Sequence, residues 1–385
     1  MDLEVLLKTL FIILVVVGAF APVITWVERK QSAVMQDRIG ANRADIAGIT
    51  VLGLFHPLAD VIKLLSKEDV VPEGAHRGMH LVAPLVAAIP AIIAFAVIPY
   101  GSSYRFGEDT LSLVVADIDW GLLYVFAIGS IATYGTVMAG WASNNNWSLL
   151  GALRASAQMI SYEVTMGLSV VGVFMVFQTL RLTDMAHAQD TTFRLLGFLE
   201  WGGLVESLPA WLDWIRIPKW GIVLQPLGFI MFLTASMAEN KRPPFDNPEA
   251  ESELVAGYFT EYSGMRFGLF YMSEFIEVVV IGGLVTAIFL GGWAIPFVSQ
   301  EAFIGGLGGV LGEGFATLLC MVAHVVSFFA KVVVMIYVQM LLRWTLPRFR
   351  YDQVMDLCWK ILLPLSLANI LVTGLVLLLV EGGAA

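Results

Sequence analysis

Apolar residues run along this chain in long blocks rather than in short amphipathic alternation. The windows 5–27, 81–100, 121–141, 157–180, 220–238, 267–293, 314–342 and 359–380 are eight such blocks. About twenty apolar residues in a helix cross roughly 30 Å of hydrocarbon, so the pattern predicts about eight transmembrane helices. The segments between them are too short for a separate soluble domain, and residues 1–385 read as a single membrane domain. The expected fold class is an all-α polytopic membrane protein with added amphipathic helices at the interface. In the first window Ala19-Phe20-Ala21 mimics a cleavage site. Asp2 and Glu4 replace the basic start of a signal peptide, so the window reads as a retained helix.

Two connecting segments carry their own helical pattern. After Pro57, which suits a first helical turn, Leu58, Val61, Ile62, Leu64 and Leu65 share one face while Asp60, Lys63 and Lys67 share the other. At about a dozen residues this helix is too short to span and should lie along the membrane surface, within a first cytoplasmic loop over 28–80. Segment 181–219, with Trp201, Trp211 and Trp214 and with Trp220 just beyond, reads as interfacial. Orientation follows from the basic residues. The segments 28–80, 142–156, 239–266 and 343–360 hold fifteen Lys and Arg against six in the alternate set, which puts the first set in the cytoplasm and both termini outside.

Composition supports this picture and narrows it. Hydrophobic residues make up 58% and charged residues 14%, well below the roughly 25% charge of soluble domains. A net charge of -10 gives no basic surface for nucleic acid. Cys320 and Cys358 are far apart and form no Cys-x-x-Cys motif, and of the five histidines only His324 lies well inside an apolar block. No cluster, haem or other tightly bound cofactor is expected in this chain, so any electrons must come from another subunit.

Charged groups at membrane depth are costly and mark sites or pathways. Glu163, Glu239, Glu274, Glu277 and Lys331 are such groups. Glu274 and Glu277 are three residues apart and adjoin on one helix face, where two carboxylates do not easily both ionise; such a pair can exchange protons. A static ion pair with Lys331 is the alternative. The acidic segment 239–266 carries Asp246, Glu249, Glu251, Glu253 and Glu261, with Pro243, Pro244 and Pro248 making its first half irregular. Aromatic and apolar residues interleave with these acids, which suggests a loop packed against a partner and ordered only when that partner is docked.

Taken together, the motifs resemble the quinone-site membrane subunit of respiratory complex I, the subunit 1 (H-type) family of proton-pumping NADH:quinone oxidoreductases. The resemblance runs from Glu28 to about Lys360. It rests on ERK at 28–30, DRIGANR at 37–43, HPLADVIKLLSKE at 56–68, SYE at 161–163, AENKRPPFDNPEAESELVAGYFTEYSGM at 238–265 and RWTLPRFRYDQVMDLCWK at 343–360. Ala41, His56 and Asn247 depart from the residues common in the family, Pro, Gln and Leu. The resemblance implies a subunit that is not catalytic alone and takes quinone as an exchangeable substrate. Its partners would be the peripheral-arm subunits carrying the terminal iron–sulfur cluster and quinone pocket, small and antiporter-like membrane subunits, and membrane lipid, in a bacterial-type inner membrane. By motif match, Glu28, Arg29, Arg38, Asp60, Lys63, Phe245 and Arg343 are the quinone-tunnel candidates. Glu163, Glu239, Asp246, Glu249, Glu251, Glu253 and Glu274 are candidates for a carboxylate path, with Glu163, Glu239 and Glu274 as its core and Glu277 auxiliary.

Two other readings compete. The membrane subunit of energy-converting hydrogenases is related but uses no quinone, and the full acidic loop with its Pro-Phe-Asp and Glu-Ser-Glu-Leu elements favours the quinone branch. A secondary transporter would show paired broken helices in two matching halves, and no such repeat stands out.

Overall fold

A computed structural model describes residues 3–106, 109–194 and 216–382. Among the described residues, seven helices are long and apolar enough to cross a membrane: α1 Leu3–Met35, α3 Arg77–Val97, α4 Gly121–Ala142, α5 Asn146–Phe177, α8 Gly264–Phe289, α10 Glu313–Thr345 and α11 Tyr351–Leu379. The fifth expected span is a shorter apolar helix, α7 Pro226–Glu239, preceded by a single turn at Gly221–Leu224. The protein is therefore an all-α, multi-pass membrane protein, as its apolar blocks predict. The surface helix α2 is present at His56–Ser66 with Pro57 in its first turn.

Several boundaries differ from the hydropathy blocks. Helix α5 begins at Asn146, eleven residues before its apolar block, because Asn145 caps it by accepting from the Trp147 amide at 2.9 Å. Most of the expected 142–156 connection is thus helix. The apolar segment after α8 also yields α9 Gln300–Leu311, which its glycines concealed. A short hairpin pairs β1 Ser103–Phe106 with β2 Asp109–Ser112. In 181–219 the described part is a short helix, α6 Leu182–Ala188, and an antiparallel pair, β3 Thr192–Arg194 with β4 Arg216–Pro218. Trp201, Trp211 and Trp214 lie outside the described residues.

Helix α8 is the axis of the molecule. The most apolar window of α8 is 89% buried, against 22% for those of α1 and α11, whose outer faces are left for lipid or other subunits. Between helices in a membrane the hydrophobic effect adds little, so close packing and interhelical hydrogen bonds hold the bundle. A Cβ on Gly135 of α4 would lie 2.6 Å from the Ala87 amide nitrogen of α3, so only glycine permits that crossing. Gln158 of α5 donates to the carbonyls of Ala238 at 2.7 Å and Phe245 at 2.8 Å, tying α5 to the end of α7 and to the acidic loop. Farther along α5, Gln225 and Asn369 bond at 3.0 Å beside Gly172.

Candidate functional site

Three features meet at the end of the bundle that carries the acidic loop. The first is an apolar cavity of about 140 Å³ between α1, α2 and α8, lined by residues such as Ala21, Thr25, Val61, Leu64, Tyr271 and Phe275. Its α1 wall starts in a stretch of widened, π-helical turns at Ile13–Phe20, directly before Pro22, whose missing amide hydrogen disrupts the regular ladder. Two charged residues also line this cavity: Arg29 donates to Asp60 at 2.5 Å, and both side chains are about two-fifths exposed. A largely apolar corridor with a few oriented polar groups suits an elongated ligand with a polar head.

The second feature lies one residue away, at Glu28. Its buried carboxylate accepts from Arg242 of the acidic loop at 3.1 Å and pairs with Arg343 of α10. Arg242 also stacks on the Phe275 ring at 4.1 Å, and Phe275 lines the apolar cavity, so the corridor and the charge cluster share a wall. Two guanidinium groups against one carboxylate leave the cluster with an excess positive charge, favourable to a ligand that gains negative charge. Sequence reasoning found Glu28 and Arg343 but not Arg242. The residue stands inside the quoted loop motif, but nothing in the pattern says which way it turns.

The third feature is the chain of acids. The loop packs on this chain's own helices: Phe245, Leu254, Tyr258, Phe259 and Tyr262 are buried. Phe245 sits between Tyr162 at 5.8 Å and Phe349 at 5.6 Å, and Arg348 donates to Asp246 at 2.6 Å. Lys241 donates to the Tyr258 hydroxyl at 3.2 Å, and that hydroxyl donates to Glu274 at 3.4 Å. Burial holds the Glu249 carboxyl well above the usual carboxylate range, with the neighbouring Glu274 as the next cause. The same burial, followed by the charges of Glu274 and Glu249, pushes the Tyr258 phenol up. Farther in, a cavity of about 60 Å³ between α3, α4, α5, α7 and α8 is lined by Glu239 and Glu277, and Glu163 accepts from Ser130 of α4. Glu239 lies within electrostatic reach of Glu163 and Glu277.

Some expected members lie apart from these features. Arg38 is exposed and donates to Gln36 at 2.8 Å. Lys63 is exposed on α2. The exposed Glu253 pairs with Arg154 at 2.6 Å. The side chain of Glu251 lies outside the described part. Lys331 does not complete an ion pair with Glu274 or Glu277. It donates to the carbonyls of Leu290, Gly292 and Ala294 at 2.8, 3.0 and 2.7 Å, just past the end of α8, where a cation is favoured by the helix dipole.

A multi-pass helical bundle with a charge-lined apolar cavity beside a group of buried and half-buried carboxylates places the chain in the class of polytopic membrane proteins with ionisable groups in their interior. The family model described as NADH dehydrogenase matches residues 7–374, and the chain belongs to that family. It is 40% identical over 379 residues to an H-type subunit of NADH-quinone oxidoreductase from Cytophaga hutchinsonii, covering 98% of this chain and 97% of that one. It is 43% identical to an H-type subunit of the NADH-quinone oxidoreductase of Geobacter metallireducens, covering 98% of each chain. It is 42% identical to the second H-type subunit of NADH-quinone oxidoreductase from Syntrophobacter fumaroxidans, covering 96% of this chain and 95% of the relative.

Proposed function

We propose that this chain is the membrane subunit of a proton-translocating NADH:quinone oxidoreductase that admits quinone between α1, α2 and α8 and couples its reduction to proton movement. The observation that carries the reading is the shared Phe275 wall between the apolar cavity and the Glu28–Arg242–Arg343 cluster. The isoprenoid tail runs in the apolar corridor, and the headgroup passes the Arg29–Asp60 pair. Two electrons arrive from a cluster in a peripheral-arm subunit, since the two cysteines of this chain form no cluster motif, and two protons complete the quinol. The positive excess at Glu28 stabilises charge developing on the headgroup. The buried Glu274 and the half-buried Glu249, then Glu239 and Glu163, supply groups that exchange protons in response. On this reading the acidic loop faces the cytoplasm of a bacterial-type inner membrane, the termini lie outside, and small and antiporter-like membrane subunits flank the bundle.

The test is Val61→Trp in the intact complex, which fills the apolar corridor from α2. The KM for long-tailed quinone should rise several-fold while that for a tailless analogue changes little. Equal KM values for both quinones in variant and wild type would remove the corridor from the quinone path.

A further inference from the structure

Helix geometry separates residues three apart by about 60° around the axis. On α8 that angle is enough to place Glu274 and Glu277 in different surroundings. Glu274 is buried against Tyr258 and Glu249, in the base of the acidic loop. Glu277 instead lines the central cavity with Glu239. It is also within electrostatic reach of Glu274, Lys241 and Arg242, so it neighbours both Glu274, which meets the acidic loop, and Glu239.

We propose that Glu277, expected from sequence to be auxiliary, is the proton-relay residue joining the Glu249–Glu274 group to Glu239 and Glu163 across the central cavity. The inference rests on reading the carboxylates as a proton path and names the link that path requires. The cavity, at about 60 Å³, exceeds the roughly 10–15 Å³ needed to admit one water. A water placed there would have three polar neighbours among the lining residues: Glu239, Glu277 and Asn240, whose buried Oδ1 has no hydrogen-bond partner among the described residues. Apolar walls from Pro90, Val125, Phe126 and Leu284 shield it. Gly129 also lines the cavity, and a Cβ there would sit in ordinary contact with Glu239 Oε1, at 3.5 Å. Two carboxylates facing one small apolar space repel each other, so the pair holds one proton between them. The Glu277 carboxylic acid gives its proton to a cavity water, which passes one of its own to the Glu239 carboxylate. One negative charge moves from Glu239 to Glu277, and no other bond changes.

The experiment uses the whole complex in sealed vesicles with Glu277→Gln, Glu277→Asp and Glu239→Gln, following quinone reduction and proton translocation together. Removing a proton-transfer group should lower coupled turnover about tenfold in Glu277→Gln and Glu239→Gln, while Glu277→Asp keeps most of it. Wild-type turnover in Glu277→Gln beside an impaired Glu239→Gln would overturn the relay role alone; wild-type turnover in both would overturn the proton-path reading with it. Equal impairment in Glu277→Gln and Glu277→Asp would return Glu277 to packing and overturn the proposal. Should Glu277→Gln fail to assemble, infrared difference spectra of quinone reduction in Glu277→Asp decide. A shifted carboxylic C=O band supports the relay, and an unchanged one overturns it.

Discussion

Replacing Glu28 by Gln keeps the shape of the side chain and removes the only negative charge in its cluster with Arg242 and Arg343. The side chains of Glu28 and Arg242 are 7% and 9% exposed, and Arg343 is 23% exposed, so solvent screens the two remaining cations weakly. Breaking a buried pair by removing one partner costs about 3–5 kcal/mol, because the surviving charge stays desolvated. The low end applies here, about 3 kcal/mol, because Gln still accepts one hydrogen bond and Arg242 keeps the Phe275 ring face at 4.1 Å. Adding Arg343→Met should then restore part of the loss, about 1–2 kcal/mol, since the double variant buries one unpaired cation instead of two. The assay is the temperature at which the purified complex loses quinone reductase activity, read beside the amount of this chain retained in the complex. Unchanged midpoints in Glu28→Gln, or a double variant no more stable than Glu28→Gln alone, would refute the charge argument.

Three further outcomes are expected. Arg29→Lys should change thermal stability by less than about 1 kcal/mol, because the Arg29–Asp60 pair is about two-fifths exposed, yet raise the quinone KM through loss of the planar guanidinium fork; an unchanged KM would leave the pair as a surface anchor. Glu249 binds its proton more tightly in the folded protein than in the unfolded chain, so the folded state loses stability as pH rises from the ordinary carboxylate range through the raised folded value. Proteolysis of the 239–266 loop should accelerate over that window in the wild type and become flatter with pH in Glu249→Gln, and parallel profiles would count against a buried neutral acid. Gly135→Ala should lower the accumulated complex, since overpacking costs about 1–3 kcal/mol, whereas Gly167→Ala, with open space at its Cβ, should not. Equal levels of complex in both variants would refute the close α3–α4 crossing, since Ala favours helix over Gly at either position.

Much of this protein is written in one dimension. Burying a span in hydrocarbon requires a continuous apolar block, so the number and order of the spans were legible from hydropathy, as was the surface helix from its two-faced 3.6-residue pattern. The boundaries were less legible, because polar helical turns such as 146–156 continue an apolar span without adding to its apolar signal. Site residues divide along the same line. Glu28, Arg29, Asp60, Phe245 and Arg343 could be picked out by motif, since charge or aromatic character at a helix end is visible in the string. Which of them meet could not. Arg242 turns inward to Glu28, while Arg38 and Lys63 stay in solvent, and only the packing of the loop against α1, α8 and α10 selects among these basic residues. Glu274 and Glu277 are alike in the sequence, three residues apart on one helix. Their different surroundings are decided by the neighbours that five other segments bring to α8, because a 60° turn of a buried helix has meaning only once both sides of it are occupied.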